Sequence, residues 1–389
     1  MMEDNVLRLP ASAEAIEVRH LRAFVAVAEE LNFGRAATRL YVTQPALSRQ
    51  IGGLERLVGC QLLRRSTRSV ELTLPGEVLL TRAKDLLHDL HEAVTMTRSV
   101  GDELEERAAR IWAPVSDLAA SSAGLDELRA AYESVSAMFP VPEGIVVRPA
   151  NTGGVVGLSV SPDPEQPATV LFLHGGGMAL GSAYGYRSLA GALAAAAGAT
   201  VVIPDFRLAP EHPFPAALDD AVSAYEWMLS RGVPPRTISV ATDSMGAHLT
   251  LSMVLKLRDD GVPLPGRLVL MSPGVEFTPP DQVDRGAAEV IRGFGAAYLG
   301  DRPANDPLVH PLLADFTGLP ELFVQAGTQD LMYAQAADLI AHARAHGVKV
   351  VVDDYPLAAH VFQLFWPFLP EAATALEKAG DYIRAGAHR

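Results

Sequence analysis

The side chain best suited to covalent chemistry in this 389-residue chain is Ser244, which lies in the run ATDSMGAHL. The serine follows a β-branched run and precedes a helical one, and a serine on such a strand-to-helix turn forms a nucleophile elbow. An elbow requires small residues two positions before and two positions after the serine, because these positions crowd each other. Gly246 fits this requirement. Thr242 departs from it and predicts crowding at the elbow.

A serine nucleophile needs a base, and the base needs a carboxylate that orients it. His360 follows the last β-prone run, KVVVDDY, and is the predicted base. Asp330 follows the run ELFVQAG and is the favoured acid, while Asp353 and Asp354 within the last run are alternatives. His248 lies one helical turn beyond the serine, and this spacing predicts a packing or surface role.

The run HGGG at residues 174–177 directly follows the β-prone run TVLFL. Three consecutive glycines let the backbone approach a bound ester closely and direct N–H groups at a developing oxyanion. A glycine-rich loop in this position after a strand therefore predicts an oxyanion hole.

The pattern beyond residue 140 predicts the elements that must bring these groups together. Short β-branched runs at residues 169–174, 200–205, 237–242, 267–272, 321–327 and 349–355 alternate with helical stretches. Near-continuous apolar strands between helices indicate a parallel sheet that helices cover on both faces.

These motifs, together with PDFRLAPEHPFPAALDD at residues 204–220, resemble those of hormone-sensitive-lipase-like carboxylesterases in order and spacing. The resemblance implies acyl transfer by Ser244, with His360 as base and Asp330 as acid. It implies oxyanion donors at the N–H groups of Gly176, Gly177 and Met245.

The same resemblance implies a small carboxylic ester or lactone as substrate, and no metal or cofactor. Met245 replaces a small residue of the family pattern, which predicts a narrower acyl pocket. Asp205, Arg207 and Glu211 are expected to brace the loop beneath the oxyanion hole.

Charge is distributed unevenly along the chain. The net charge is −14, yet residues 35–68 contain seven arginines and a single acid, Glu55. Such a local excess of positive charge is typical of a surface that meets phosphates.

Residues 21–77 resemble the DNA-binding domain of LysR-type regulators over nearly their whole length. In that family, residues 33–40 correspond to the first helix of the motif and residues 43–58 to the recognition helix. Thr43 can cap the recognition helix. The resemblance implies DNA contacts by these six residues: Gln44, Pro45, Ser48, Arg49, Arg65 and Arg68.

A long helix is predicted after Pro75-Gly76. Its apolar residues form one seam: Leu79, Leu80, Ala83, Leu86, Leu87, Leu90 and Val94. A helix with such a seam and no neighbour in its own small domain usually pairs with a copy of itself. We therefore expect a homo-oligomer that forms through residues 79–94.

The predicted fold class is multidomain, an all-α winged helix-turn-helix plus a doubly wound, mostly parallel α/β-hydrolase. The predicted boundaries are residues 17–77 for the DNA-binding domain, 78–110 for a linker and dimerisation helix, and 111–389 for the hydrolase. A helical cap is expected to come partly from residues 113–140. The acidic and then Ala- and Ser-rich stretch near residues 100–125 predicts the linker itself.

Composition indicates a soluble globular protein of the cytoplasm. No stretch approaches the roughly 20 uncharged apolar residues of a membrane span, and the start MMEDNVLRLP does not resemble a secretory signal. The single cysteine, Cys60, excludes an internal disulfide.

Two functions remain open from the sequence. In one, a working esterase carries a DNA-binding head that localises it or regulates an operon. In the other, the hydrolase fold serves as the ligand sensor of a regulator and turns over slowly or not at all. The serine, aspartate and histidine favour the first function. Thr242 and the missing usual effector domain of LysR-type regulators favour the second.

Overall fold

The computed structural model describes residues 15–387 except 66–69, 120, 122, 164–165, 280–284, 301 and 304, and leaves the side chains of 65, 91–102, 168, 287 and 387 undescribed. The chain divides into two compact units, Met1–Asp102 and Glu103–Arg389.

The described part of the first unit contains three short helices, a two-stranded wing and the first part of a long helix. The helices are α1 (Val18–Glu30), α2 (Phe33–Arg39) and α3 (Gln44–Val58), and the strands β1 (Leu63–Arg65) and β2 (Val70–Leu72) pair antiparallel. The apolar stripes of the helices meet in one core, so Phe24, Leu47 and Ile51 are fully buried. The predicted helices and wing are confirmed.

Helix α4 spans Leu74–Ala119 without interruption. The segment predicted to be the linker, residues 100–125, is therefore helical as far as Ala119, and the predicted boundary at residue 110 falls inside this helix. The domain boundaries stay predictions. Residues 100–119 are rich in Glu, Ala, Leu and Arg, all strong helix formers. The apolar residues of this segment also recur at helical spacing. The acidic composition of the segment nevertheless led to the prediction of a linker.

An eight-stranded sheet, in the order β10-β9-β8-β7-β5-β6-β4-β3, forms the centre of the second unit. Six strands are parallel neighbours: β5 (Ala168–Leu173), β6 (Thr200–Pro204), β7 (Ser239–Asp243), β8 (Arg267–Met271), β9 (Glu321–Gly327) and β10 (Val350–Tyr355). The predicted runs match these six strands to within about two residues. The parallel doubly wound sheet is confirmed.

The remaining strands, β3 (Val146–Thr152) and β4 (Val155–Ser161), form an antiparallel hairpin at one edge of the sheet. The hairpin turns at Gly153-Gly154, where both residues have positive φ angles. The sequence does not predict these strands, because β3 is largely exposed and lacks the continuous apolar run of a central strand.

Helices cover both faces of the sheet. Side chains of α7 (Ala216–Ser230), α8 (Gly246–Asp259) and α10 (Tyr333–Ala345) share one core with Leu171. Side chains of α5 (Leu125–Ser136), α6 (Ala183–Ala197) and α11 (Pro370–Ala387) share a second core with Phe172. Neighbouring strand residues serve opposite cores because successive side chains of a strand point to opposite faces.

Helix α9 (Arg285–Leu299) follows β8 and packs Phe294 against both cores. Among the helices that the structure describes, none combines the length and the apolar run that crossing a bilayer requires.

Candidate active site

Ser244 sits on the tight turn between β7 and α8. Its φ angle of +47° lies in the left-handed region, which a non-glycine residue adopts only when its surroundings hold it there. The backbone N–H of Ser244 donates to the carbonyl of Met271 at 3.0 Å, and its carbonyl accepts from the N–H of Gly274 at 3.0 Å. The elbow is thus fixed from the neighbouring strand and the loop that follows it.

The structure brings the three predicted catalytic side chains together. His360 Nε2 lies 2.8 Å from Ser244 Oγ. His360 Nδ1 lies 3.0 Å from each carboxylate oxygen of Asp330. All three residues follow the carboxyl ends of parallel strands, so the sheet delivers them to one edge.

The alternative acids face other partners. Asp353 accepts hydrogen bonds from Gln325 at 3.0 Å and from Tyr355 at 2.8 Å. Asp354 accepts from Tyr333 at 3.3 Å. Both side chains belong to the last strand, whereas Asp330 lies on the loop after β9 that faces the histidine.

The electrostatics of the three groups suit a base that accepts a proton. Desolvation of the His360 ring lowers its pKa, but the charge and hydrogen bond of Asp330 outweigh this effect, so the pKa of His360 is raised. The charge of Asp243 adds to the rise. The imidazolium form is therefore stabilised next to the serine.

The glycine loop lies directly on the elbow. Gly176 and Gly177 have φ angles of +98° and +64°. A Cβ on Gly176 would lie 2.3 Å from the carbonyl oxygen of Leu180, and one on Gly177 would lie 2.4 Å from Phe294 Cδ2. These contacts explain why the loop needs glycine, since a side chain at either position would displace it.

A buried network of hydrogen bonds, which the sequence does not predict, holds this loop to the elbow. The N–H of Gly175 donates to Asp243 Oδ1 at 2.9 Å, and Tyr186 Oη donates to Asp243 Oδ2 at 2.9 Å. The hydroxyl of Tyr132 on α5 lies 2.7 Å from that of Tyr186. Burial raises the pKa of Asp243 to about 6. The only signal in the sequence was the acid directly before Ser244.

Thr242 does not crowd the elbow as predicted. Its side chain is fully buried, and Oγ1 donates to the carbonyl of Leu173 at 2.6 Å. A Cβ on Gly246 would lie 2.2 Å from that Oγ1. The hydroxyl therefore occupies the space that the glycine leaves free, and the larger residue is accommodated.

Two further residues of the elbow pack against its surroundings. Met245 is 4% exposed, and a Cβ on Gly274 would lie 2.8 Å from its sulfur. His248 is fully buried with Nδ1 3.0 Å from the carbonyl oxygen of Val275 and its ring against Phe277. The predicted packing role of His248 is confirmed.

Residues of the run at 204–220 hold neighbouring elements through two ion pairs and one hydrogen bond to the backbone. Arg207 binds Asp220 through Nη2 and Oδ1 at 2.8 Å. Glu211 binds Arg129 of α5 through two hydrogen bonds of 2.6 and 2.8 Å. Asp205 accepts from the N–H of Ala183 at the start of α6. These contacts fit the structural role expected for Asp205, Arg207 and Glu211.

A second candidate site lies on helix α3 of the first unit. Gln44 and Pro45 occupy the exposed first turn, and Thr43 caps it by accepting from the N–H of Ala46 at 3.4 Å. Arg49 is exposed one turn later, and Ser48 is half-buried. The first two turns of α3 thus present Gln44 and Arg49 as exposed polar side chains near the end that carries the positive helix dipole.

The structure describes only part of the basic wing. Arg65 belongs to β1, but its side chain is not described, and Arg68 lies outside the described residues. Two other arginines of the basic segment form ion pairs, Arg35 with Glu30 at 3.0 Å and Arg39 with Glu29 at 2.8 Å. The acids of α1 therefore neutralise part of the positive excess.

Two separate segments of the chain match known families. Residues 170–364 match the family described as the alpha/beta hydrolase fold. Residues 18–77 match the family described as bacterial regulatory helix-turn-helix protein, lysR family.

Curated relatives and solved structures resemble the hydrolase part. An acetyl-hydrolase of Streptomyces hygroscopicus is 37% identical over 267 residues, which cover 66% of this chain and 88% of the relative. An esterase of Acinetobacter venetianus is 30% identical over 264 residues, which cover 66% and 87%. A crystal structure of an esterase from the bacterial hormone-sensitive lipase family is 32% identical, with a TM-score of 0.66 over 72% of this chain and 98% of that chain.

Proposed function

Because the chain belongs to the α/β-hydrolase family of esterases and carries a LysR-type helix-turn-helix before the hydrolase, we propose that it binds DNA and hydrolyses small carboxylic esters. The observation that supports hydrolysis most strongly is the hydrogen-bonded series from Ser244 Oγ to His360 and Asp330, with distances of 2.8 and 3.0 Å. It favours turnover over a fold kept only as a sensor.

The reaction proceeds by acyl transfer in two halves. Ser244 Oγ attacks the ester carbonyl while His360 Nε2 takes its proton, and Asp330 stabilises the imidazolium that forms. The N–H groups of Gly176, Gly177 and Met245 donate to the oxyanion of the tetrahedral intermediate.

His360 then gives its proton to the departing alcohol and leaves an acyl ester on the serine oxygen. In the second half, His360 takes a proton from water, which attacks the acyl carbonyl. The return of the proton to the serine oxygen releases the carboxylic acid and restores the enzyme.

The surroundings of the glycine loop support a short acyl group. The Phe294 ring packs against Gly177, and the buried Met245 side chain fills space beside Gly274. The Streptomyces relative is described as an acetyl-hydrolase. We therefore assign acetyl-sized acyl groups as the substrate class, with small lactones as the second chemical type to assay.

We assign to the first unit the binding of duplex DNA, and we place the protein in the cytoplasm. Gln44, Pro45, Ser48 and Arg49 would meet the major groove, while Arg65 and Arg68 would meet the backbone or minor groove. Exposed apolar residues support pairing of α4 with a second copy, since Leu86 is 56% and Leu90 41% exposed.

One assay tests the hydrolytic function. The full chain is incubated with p-nitrophenyl acetate beside two variants, Ser244→Ala and Ser230→Ala, the latter on the exposed end of α7. Wild type and Ser230→Ala should turn over the ester, and Ser244→Ala should lose at least about 10³ in kcat. Equal rates in wild type and Ser244→Ala would exclude the mechanism.

A binding assay tests the DNA-binding function. Arg49→Ala should weaken binding to a selected duplex by about 1 to 3 kcal/mol and relax its sequence preference. Arg19→Ala is the matched control, because Arg19 lies on α1 and pairs with Glu17. Equal binding by wild type and Arg49→Ala would contradict the assigned reading face.

A further inference from the structure

The second half of helix α4 packs against the segment that carries the catalytic histidine. Ala108 is fully buried in a cluster that includes Leu357 and Phe362. Leu357 precedes His360 by three residues, and Phe362 follows it by two. The Trp112 ring meets Phe365 edge-on, with 6.4 Å between centroids. The helix therefore contacts the histidine segment on both sides of the catalytic residue.

A hydrogen bond from α4 also holds the same segment, at a position nearer to the catalytic histidine. The carboxylate oxygen Oε1 of Glu105 on α4 accepts a hydrogen bond from the backbone N–H of Ala358. Ala358 precedes His360 by two residues. Val361, directly after the histidine, has a φ angle of +50°, so this segment adopts a conformation that its surroundings must hold.

The opposite side of the segment is anchored to the loop that follows β9. The N–H of Gln329 donates to the carbonyl of Leu357 at 3.1 Å, and the N–H of Thr328 donates to the carbonyl of Tyr355 at 2.7 Å. These bonds join the histidine segment to the loop that carries Asp330. Glu105 provides the contact from the helical side.

We propose that Glu105 is a positioning residue of the esterase, and hence that the helix that begins in the DNA-binding unit forms part of the active-site frame. The proposal rests on the proposed hydrolysis. Glu105 touches no reacting atom; it acts by fixing the backbone from which the His360 ring reaches both Ser244 and Asp330. Misplacement of a catalytic group by about 1 Å can lower a rate by about 10²-fold.

A second series of contacts joins the same helix to the glycine loop at residues 174–177. Trp112 packs on Tyr132, with 5.6 Å between ring centroids. The Tyr132 hydroxyl meets that of Tyr186, which donates to Asp243, the acceptor for the N–H of Gly175. Helix α4 therefore supports both His360 and the glycine loop. The first turns of this helix belong to the first unit.

The test compares four variants of the full chain. Glu105→Ala removes the acceptor, Glu105→Asp withdraws it by one methylene, and Glu105→Gln keeps an oxygen acceptor at the same reach. Glu106→Ala is the matched control, because the neighbouring Glu106 is 71% exposed and pairs with Arg110 on the same helix. Each variant is assayed with p-nitrophenyl acetate for kcat, KM and the pH dependence of kcat/KM.

Glu105→Ala and Glu105→Asp should lower kcat about tenfold with little change in KM. Because a displaced His360 loses part of the effect of Asp330 on its pKa, the acid limb of their profiles should move to lower pH. Glu105→Gln and Glu106→Ala should behave as the wild type. A role in folding alone would lower the melting temperature without moving the acid limb.

Wild-type kcat and an unmoved acid limb in Glu105→Ala would overturn the proposal. Loss of rate in Glu105→Gln equal to that in Glu105→Ala would also overturn it, because the hydrogen-bond acceptor would then not be the cause. If Glu105→Ala does not fold, kcat and the acid limb are compared between Glu105→Asp and Glu105→Gln instead. Equal values in these two variants would overturn the proposal. An inactive wild type would instead refute the proposed hydrolysis itself.

Discussion

Thr242 and Gly246 face each other across the nucleophile elbow, and the threonine hydroxyl fills the volume where a Cβ on residue 246 would lie. The hydroxyl donates to the carbonyl of Leu173 at 2.6 Å, so it ties the elbow strand to the strand that leads into the glycine loop. A residue that departs from the expected pattern thus supplies a buried hydrogen bond between two parts of the active site.

Thr242→Gly should destabilise the protein without raising kcat. The substitution removes a buried hydrogen bond and leaves a small void, which together cost about 1 to 3 kcal/mol of unfolding free energy. Urea denaturation measures this loss, and Thr242→Ser, which keeps the hydroxyl, should recover most of it. A rise in kcat for Thr242→Gly would mean that the threonine hinders catalysis.

The pH dependence of kcat/KM should report the raised pKa of His360. In the proposed mechanism the neutral ring is the base, so activity should increase as the pH rises through this pKa. The acid limb should therefore lie above the usual histidine pKa of about 6.5.

Asp330→Asn should move that limb to lower pH and reduce kcat by about 10⁴-fold, because the ring loses its charge partner and its tautomer. Asp354→Asn, which changes an exposed acid of the last strand, is the control and should leave both quantities unchanged. An acid limb that stays in place in Asp330→Asn would contradict Asp330 as the orienting acid.

Asp243 should contribute to the pH dependence of stability. Its pKa in the folded chain is about 6, above the value of about 3.9 expected when unfolded. The folded state therefore holds the proton more tightly, and the unfolding free energy should decrease as the pH rises from about 4 to about 6.

For a shift of this size the decrease amounts to about 3 kcal/mol. Asp243→Asn should remove that part of the pH dependence, as measured by urea denaturation at several pH values, relative to wild type. Asn can still accept from Gly175 and donate to the Tyr186 oxygen, so the fold should survive. Parallel stability curves for wild type and variant across this range would refute the raised pKa.

The apolar seam of α4 divides between two roles in the structure. Leu79 and Leu80 pack against the core of their own unit, whereas Leu86 and Leu90 are exposed. Leu86→Glu combined with Leu90→Glu should therefore convert a dimer into a monomer with an unchanged helical content. Sedimentation at micromolar concentration measures the state, and a wild-type monomer would contradict the pairing.

The sequence predicted those parts of the molecule whose signal is local. The six central strands carry continuous apolar runs. The serine and the glycine loop directly follow two of them, and the histidine lies shortly after the last strand. The hairpin of β3 and β4 was missed because it is an exposed edge. The Tyr132–Tyr186–Asp243 network was missed because its members come from distant positions in the chain and meet only in the folded structure.

The helical structure of the segment predicted to be the linker could not be predicted for a related reason. Residues 103–119 are acidic and Ala-rich, which resembles a linker, but Ala108 and Trp112 pack into the hydrolase core. Only the folded chain shows that these side chains pack against other elements of the second unit. The accommodation of Thr242 likewise depends on a hydroxyl geometry that residue size alone does not reveal.

Covalent labelling of the serine tests the central claim most directly. Wild type, Ser244→Ala and His360→Ala are incubated with an aryl phosphonate ester, and the labelled peptides are identified by mass spectrometry. The account predicts one phosphonyl group per chain on Ser244 in the wild type, none in Ser244→Ala, and labelling slower by orders of magnitude in His360→Ala. A label on another residue, or equal labelling rates in wild type and His360→Ala, would contradict a serine nucleophile activated by His360.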